Sequence, residues 1–495
     1  MMWRVYCFRD LYFLKYFRLY IAFFVCLLLT LYITLNYTNK NQVNVNCLLS
    51  TTERNFNYFL PVVRIYGIQE WDKSLDVVKE TFKQMGYIVE IGSTTNWDVL
   101  WSYTYPFHTL ERELAFLKPT QKVNHFPGSG FITQKMHFAM LPINHIPKSF
   151  QLPAGKNQFL EYVATNIEKT WVLKNPNHRG IRLLNGTESL DASGYLIQEF
   201  VSKPLLISGK FSEICLGVYV MQTSIDPLRV YVYSGDVLLR FCKKDYYPLN
   251  PNDFESYIVG DDYLPVWEVP DIKYYYSELN LTAKDSLNAY LHSLGKGTKK
   301  IWSQIYETIL DVYFETEADM KRSAMILGNL RNFFELVRFD FILDENLNIY
   351  LLEVNMSPNL SPAHFPQNRL LYEQVLFNSL SLVGLVRKFP TNSVYRGEAE
   401  VSEKDIQVYP EQCASAICRK SCKNIKCITC NQCMNRELRE IAKAAYREFL
   451  NRGKYQRVIP PSVVQGNELI IRNPDEVSEM NLFMDTWFKG KCLQG

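Results

Sequence analysis

At 495 residues, with 47% apolar and 21% charged side chains, the chain is long enough to bury a large core and form two or three lobes, which excludes a disordered protein. A formal net charge of +3 is close to neutral for that length and excludes nucleic acid as the main partner, although local basic patches can still hold an acidic peptide.

The first predicted element is Leu19 to Leu35, LYIAFFVCLLLTLYITL, a charge-free apolar run about long enough to span a bilayer when its aromatic flanks are counted. Arg4, Arg9, Lys15 and Arg18 precede it against Asp10 alone, so the basic residues 1–18 stay cytosolic and the bulk lies on the far side, a single-pass type II signal anchor. A cleaved signal peptide fits less well, because no small-residue cleavage site follows. A polar stalk covers 36–57. The luminal side is favoured by Asn-x-Ser/Thr triplets at Asn36, Asn185 and Asn280 and by a cysteine-dense tail. Against it stands the triplet Asn355-Met356-Ser357, which falls on a candidate metal ligand.

Val62–Tyr66 then reads as a strand, Glu70–Met85 as an amphipathic helix stopped by Gly86, and Ile88–Ile91 and Val99–Tyr103 as strands, an alternation that predicts an α/β layer. His125 to Gly130 is a turn-rich loop before a helix, with Lys135 close behind. Trp171 to Lys174 is an apolar strand ending in a lysine, followed by Asn177-His178-Arg179-Gly180-Ile181. Such a unit can aim an ammonium at phosphates while the loop brings backbone N–H groups close, although lone lysines at strand ends are common. Tyr195 to Val201 is a buried strand with the polar pair Gln198-Glu199 near its end. Val237 to Phe241 places Arg240 at a strand end, Arg229 suits a structural ion pair, and Tyr246–Pro270 crosses between lobes as a loop. Ser286–Ser293 and Lys300–Tyr313 read as helices.

Phe333 to Pro358 carries the chemistry. Two apolar runs, Leu336–Leu343 and Leu347–Val354, flank the turn Asp344-Glu345-Asn346 and predict a hairpin. Asp340 interrupts the first run, while Glu353 and Asn355 lie two apart on the second and so share a face. Three oxygen donors converge. A solvent-facing hairpin is one account; a divalent ion, Mg²⁺ against nucleotide phosphates, is the other, and acids set within apolar runs favour the ion. Beyond it Asn368–Leu385 reads as a helix. Cys413, Cys418, Cys422, Cys427, Cys430 and Cys433 fit either zinc or three disulfides, and Glu437–Arg452 is an amphipathic helix.

The block FELVRFDFILDENLNIYLLEVNMSPNL resembles the metal-binding end of tubulin–tyrosine-ligase-like enzymes, a branch of the ATP-grasp superfamily. NWDVLWSY, NHFPGSGFITQK, WVLKNPNHRGI, YLIQEFVSKPLL and DPLRVYVYSGDVLLRFC precede it in the family's order, together spanning about Tyr66 to Leu382. The resemblance implies an α/β ATP-grasp-like domain over 58–388, divided into a small preceding lobe (58–120) and the ATP-grasp part (121–388), then a Cys-rich helical tail (389–495). It implies ATP and Mg²⁺, the ion on Asp340, Glu353 and Asn355. Lys135, Lys174, Arg179 and Gly180 would lie near the nucleotide, Gln198 and Glu199 at the adenine hinge, and Lys210 and Arg240 on the phosphates and anionic intermediate. Where the family carries Lys-Phe-Asp-x-Arg, this chain keeps Lys210 and Phe211 but has Ser212 and Glu213 next, and Gly217 falls where the arginine belongs. The implied activity is that of a tubulin polyglutamylase, joining free glutamate to side-chain carboxylates of an acidic acceptor, tubulin tails being the suspected one, through an acyl phosphate. A membrane-anchored pseudoligase that binds nucleotide or an acidic partner without turnover stays open as the alternative, as does a luminal ligase with another acceptor. The anchor places the protein in the endoplasmic reticulum or Golgi; a cytosolic domain would instead associate with the cytoskeleton.

Overall fold

The structure, a computed structural model, describes residues 60–494 except 70, 93, 176–179, 185–189, 192, 210–214, 328–329, 387–398 and 462–476. The apolar run 19–35 and the stalk lie outside the described residues. Among the described residues no helix is long and apolar enough to cross a membrane.

Three sheets organise the described body. The first is parallel, ordered β2-β1-β3-β4 from β1 (Val62–Tyr66), β2 (Ile88–Ile91), β3 (Val99–Ser102) and β4 (Lys122–Val123). Its helix spans Asp76–Gln84, shorter than the periodicity predicts, and Gly86 follows with φ of +82°, a backbone state that glycine adopts without steric cost. The second sheet is antiparallel, ordered β5-β8-β6-β7 from β5 (Ser149–Gln151), β6 (Trp171–Lys174), β7 (Ile181–Leu183) and β8 (Leu196–Glu199).

The third sheet is built on β9 (Cys215–Ile225), buried along almost its whole length. One edge of β9 pairs with β13 (Glu335–Leu343), which pairs in turn with β14 (Ile349–Met356). The other edge pairs with β10 (Leu228–Tyr233) and, at its start, with β11 (Leu238–Phe241), beyond which lies β12 (Leu264–Pro265). The predicted hairpin is therefore present, with each strand shifted by one or two residues. The helix predicted over Lys300–Tyr313 runs further, Lys299–Met325, and backs this sheet with Ile301, Ile305, Ile309, Val312, Tyr313 and Met320 in the main core.

The residues assigned to the tail return to the sheet: β15 (Tyr455–Ile459) pairs antiparallel with β10. The helix Arg436–Asn451 carries Glu448 onto β10, where Arg229 Nε and Nη2 donate to its two carboxylate oxygens at 2.8 and 2.9 Å and the Tyr231 hydroxyl donates at 2.8 Å. Arg229 is thus the structural ion-pair partner the sequence suggests. The six tail cysteines form disulfides rather than a zinc site: Cys413–Cys430, Cys418–Cys427 and Cys422–Cys433.

Removing one member of a buried ion pair strands the other, at a cost of about 3–5 kcal/mol. Glu448→Ala is therefore expected to lower the unfolding free energy by about that amount, seen as a lower thermal midpoint. An unchanged midpoint would show that the tail does not clamp the sheet.

Candidate active site

Strand register assembles the site before any side chain is considered. Gly217 of β9 lies opposite Asp340 of β13, which lies opposite Glu353 of β14; Arg338 lies opposite Asn355, and Cys215 opposite Arg240 of β11. Directly opposed residues and those two apart share a face. One face of the sheet therefore presents Cys215, Gly217, Arg240, Arg338, Asp340, Glu353 and Asn355 together. The three predicted metal ligands do converge.

Their surroundings differ from a bare acid pair. Asp340 is buried, with 2% of its side chain exposed, yet it is not uncompensated. Arg338 grips it with Nε on Oδ1 at 2.6 Å and Nη2 on Oδ2 at 2.8 Å, and Arg240 Nη2 donates to Oδ2 at 2.7 Å. The need for a cation to neutralise Asp340 is thus met by two guanidiniums, a correction to the sequence reading, which left Arg338 out. Burial alone would raise the carboxyl's pKa, but Arg240 and then Arg338 outweigh it and hold the group at about 2. Asn355 completes the set with its NH₂ end, donating to Asp340 Oδ2 at 2.9 Å and to Glu353 Oε1 at 3.2 Å. Its amide therefore faces both acids as a donor, where the sequence reading called for an oxygen. Glu353 is about one-third exposed, and Lys135 Nζ stands 3.7 Å from its Oε2, which places that lysine at the acid end of the site.

A cleft of about 130 Å³ runs between the second and third sheets. Val172 and Ile181 wall one side and Ile342 and Leu352 the other; Lys174, Arg240, Asp340 and Glu353 form its polar end, and Gln198 to Val201 its rim. Pockets for small molecules usually exceed about 300 Å³; 176–179 and 210–214, adjoining this wall in sequence, are outside the described residues, and with them Arg179 and Lys210. Gly180 is described, at φ of +128°. Gln198 is buried and donates to Ser149 Oγ at 2.9 Å, whereas the Glu199 carboxylate turns to the far side of the rim and binds Lys169 Nζ at 2.9 Å. Adjacent strand residues point to opposite faces, so the side chains of this pair do not act on one ligand together.

The roles of two side chains escaped the sequence reading. Arg338 is one; its signal was the spacing of two from Asp340 on a strand. His125 is the other: Nδ1 meets Glu335 Oε1 at 3.0 Å and Nε2 meets the Ser102 carbonyl at 2.9 Å, while Phe126 N–H donates to Glu335 Oε2 at 2.8 Å. This pins the start of the 125–130 loop to β13.

A model of the tubulin-tyrosine ligase family matches residues 114–393. The chain belongs to the tubulin-tyrosine ligase family, whose members are ATP-dependent ligases. It is 37% identical to a Caenorhabditis elegans protein named "Probable tubulin polyglutamylase ttll-15", over 84% of this chain and 82% of that protein. It is 26% identical to a "Probable beta-tubulin polyglutamylase" of Tetrahymena thermophila and 24% identical to human "Tubulin polyglutamylase TTLL7", over 70% and 66% of this chain. It spans only 29% and 39% of the length of those two. The mixed α/β body agrees with this family, and the cleft falls within the matched residues.

Cys215 lies in this cleft, and Arg240 Nη2 donates to its sulfur at 2.8 Å. Burial pushes its thiol up to about 12, so it is a neutral group at physiological pH and a poor nucleophile. Under native conditions at pH 8, a thiol reagent is expected to label the exposed Cys492 and spare Cys215, as peptide mass spectrometry would read; rapid labelling of Cys215 would refute the assignment.

Proposed function

We propose that the chain is an ATP-dependent carboxylate–amine ligase that adds glutamate to side-chain carboxylates of an acidic acceptor protein. The γ-phosphoryl group of ATP passes to an acceptor carboxylate, releasing ADP and giving an acyl phosphate. The amino group of free glutamate then attacks the acyl carbon, an isopeptide bond forms, and inorganic phosphate leaves. The observation that carries this reading is the polar end of the cleft, where one buried cation keeps a donor free. Among the described residues, Arg240 Nε is buried and has no hydrogen-bond partner, an orphan of the kind a phosphate or acyl oxygen satisfies. Lys174 at the same end adds positive charge, and the apolar walls exclude water from the acyl group. Positioning of the two substrates supplies much of the remaining rate.

The donor set also fits a hard divalent ion such as Mg²⁺, through one movement. Asp340 accepts four hydrogen bonds, about the capacity of a carboxylate. Turning the Asn355 amide end for end removes its NH₂ from both Asp340 and Glu353 and brings in a third oxygen, leaving an all-oxygen site. Glu353, Asn355 and Asp340 would hold the ion, which would supply positive charge next to the phosphates.

The names of the relatives support tubulin as the acceptor. A specific observation favours a second acceptor class: three disulfides in 413–433 persist in an oxidising compartment. Together with the apolar run 19–35, they support a type II protein whose body is luminal, with 58–388 as the ligase domain and the acceptor a protein of the secretory pathway. The two are separated by glycan mapping. With the body in the lumen, the exposed Asn280 is expected to carry an N-glycan and Asn355 none, because its amide nitrogen is held by two carboxylates. A bare Asn280, with the body digested by protease added outside intact vesicles, would place it in the cytosol.

Activity is tested on the purified protein with ATP, Mg²⁺, labelled glutamate and either tubulin or acidic secretory proteins as acceptors. The expected result is one ATP consumed per glutamate joined, reduced about 100-fold or more by Glu353→Gln with little change in thermal midpoint, since Glu353 is partly exposed. ATP binding without incorporation into any acceptor would favour the pseudoligase.

A further inference from the structure

Gly217 has no room for any other residue as the site stands. A Cβ built on it would lie 2.8 Å from Arg338 Cδ, 3.2 Å from Arg338 Nε and 3.2 Å from Asp340 Oδ1. The space a side chain at 217 would enter is occupied by the stem and guanidinium of Arg338, which crosses from β13 over β9. The Arg338 side chain is 8% exposed, and its guanidinium is bound in a two-point fork to Asp340, the carboxylate that also holds Arg240. Gly217 and Arg338 are neighbours across one strand pair, since Gly217 is in register with Asp340 and Arg338 sits two residues before it.

We propose that Gly217 and Arg338 are one functional unit, in which Arg338 is the positioning residue that orients Asp340 and Arg240, and glycine at 217 is the opening that admits it. The glycine in place of the expected arginine is then no lesion. Besides Arg240, which arrives from β11, the site holds one more planar cation on Asp340, and that cation enters from β13 instead of β9. The Cα–Cβ direction of 217 points at the same atoms, so an arginine there can reach Asp340 once Arg338 is gone. Lysine at 338 cannot substitute, because a single ammonium does not reproduce the fork across both carboxylate oxygens. Without the fork, Asp340 turns, Arg240 loses its fixed partner, and its Nε no longer faces the cleft.

This inference adds to the ligase reading but is tested apart from it, by comparing Arg338→Gly, Arg338→Lys, Gly217→Arg and the double exchange Gly217→Arg/Arg338→Gly. Each protein is measured for thermal midpoint, for ATP affinity with Mg²⁺, and for kcat and KM of glutamate incorporation. Losing an orienting partner of this kind typically costs about 10–100-fold in affinity or activity. That loss is expected in each single variant, including Arg338→Lys, with the midpoint lowered in Arg338→Gly and Gly217→Arg. The double exchange is expected to regain at least about 10-fold of the loss and most of the midpoint. Strictly additive effects in the double exchange, or a fully functional Arg338→Lys, would overturn the proposal. Should the wild-type protein incorporate nothing, midpoint and ATP affinity still decide the coupling, so failure of the ligase reading is distinguishable from failure of this one.

Discussion

A single carboxylate, Asp340, holds this face of the sheet together. Three strands meet on it, two of them one hairpin and the third from much earlier in the chain: β13 provides the acid and the Arg338 fork, β14 sends Asn355, and β11 sends Arg240. Isolated, such a buried charge would be prohibitively costly. With two guanidiniums and an amide around it, the acid stays ionised and each cation is held where its charge is useful. Arg240 illustrates the economy of the arrangement: one nitrogen serves Asp340 and Cys215, while Nε has no partner among the described residues.

How much of this could be read in the sequence depends on range. Local patterns carried the hairpin, because two alternating apolar runs around Asp344-Glu345-Asn346 admit few other structures, and the same period put Glu353 beside Asn355. The strand ending in Lys174 was visible for a similar reason. Arg338 was not, because an arginine inside an apolar run looks like an edge residue until its partner is known. That partner is an absence of side chain at Gly217, more than a hundred positions earlier. A glycine inside an otherwise apolar strand is itself a sign of close approach by another group, and it stands beside the Arg338–Asp340 spacing as the second clue. The direction of the Glu199 side chain was illegible for a different reason: nothing in the sequence indicates that Lys169 binds its carboxylate.

The tail followed the same rule. Cysteine density alone left zinc and disulfides open, since pairing depends on which sulfurs approach in three dimensions. The short strand Tyr455–Ile459 has no distinctive alternation, and its place beside β10 rests on pairing and on Glu448 reaching Arg229. The cystine-linked segment is thereby tied into the same sheet that carries the site.

That closing strand has a bearing on biosynthesis. At roughly 5–20 residues per second, the ribosome makes β10 on the order of ten to forty seconds before its neighbour β15 emerges. Throughout that interval the growing polypeptide carries a hydrophobic, hydrogen-bond-hungry ribbon with an open flank, the kind of template that recruits stray chains. Completion of this sheet is consequently a late step that waits for β15, and holding factors that shield open strand flanks have their longest task on β10.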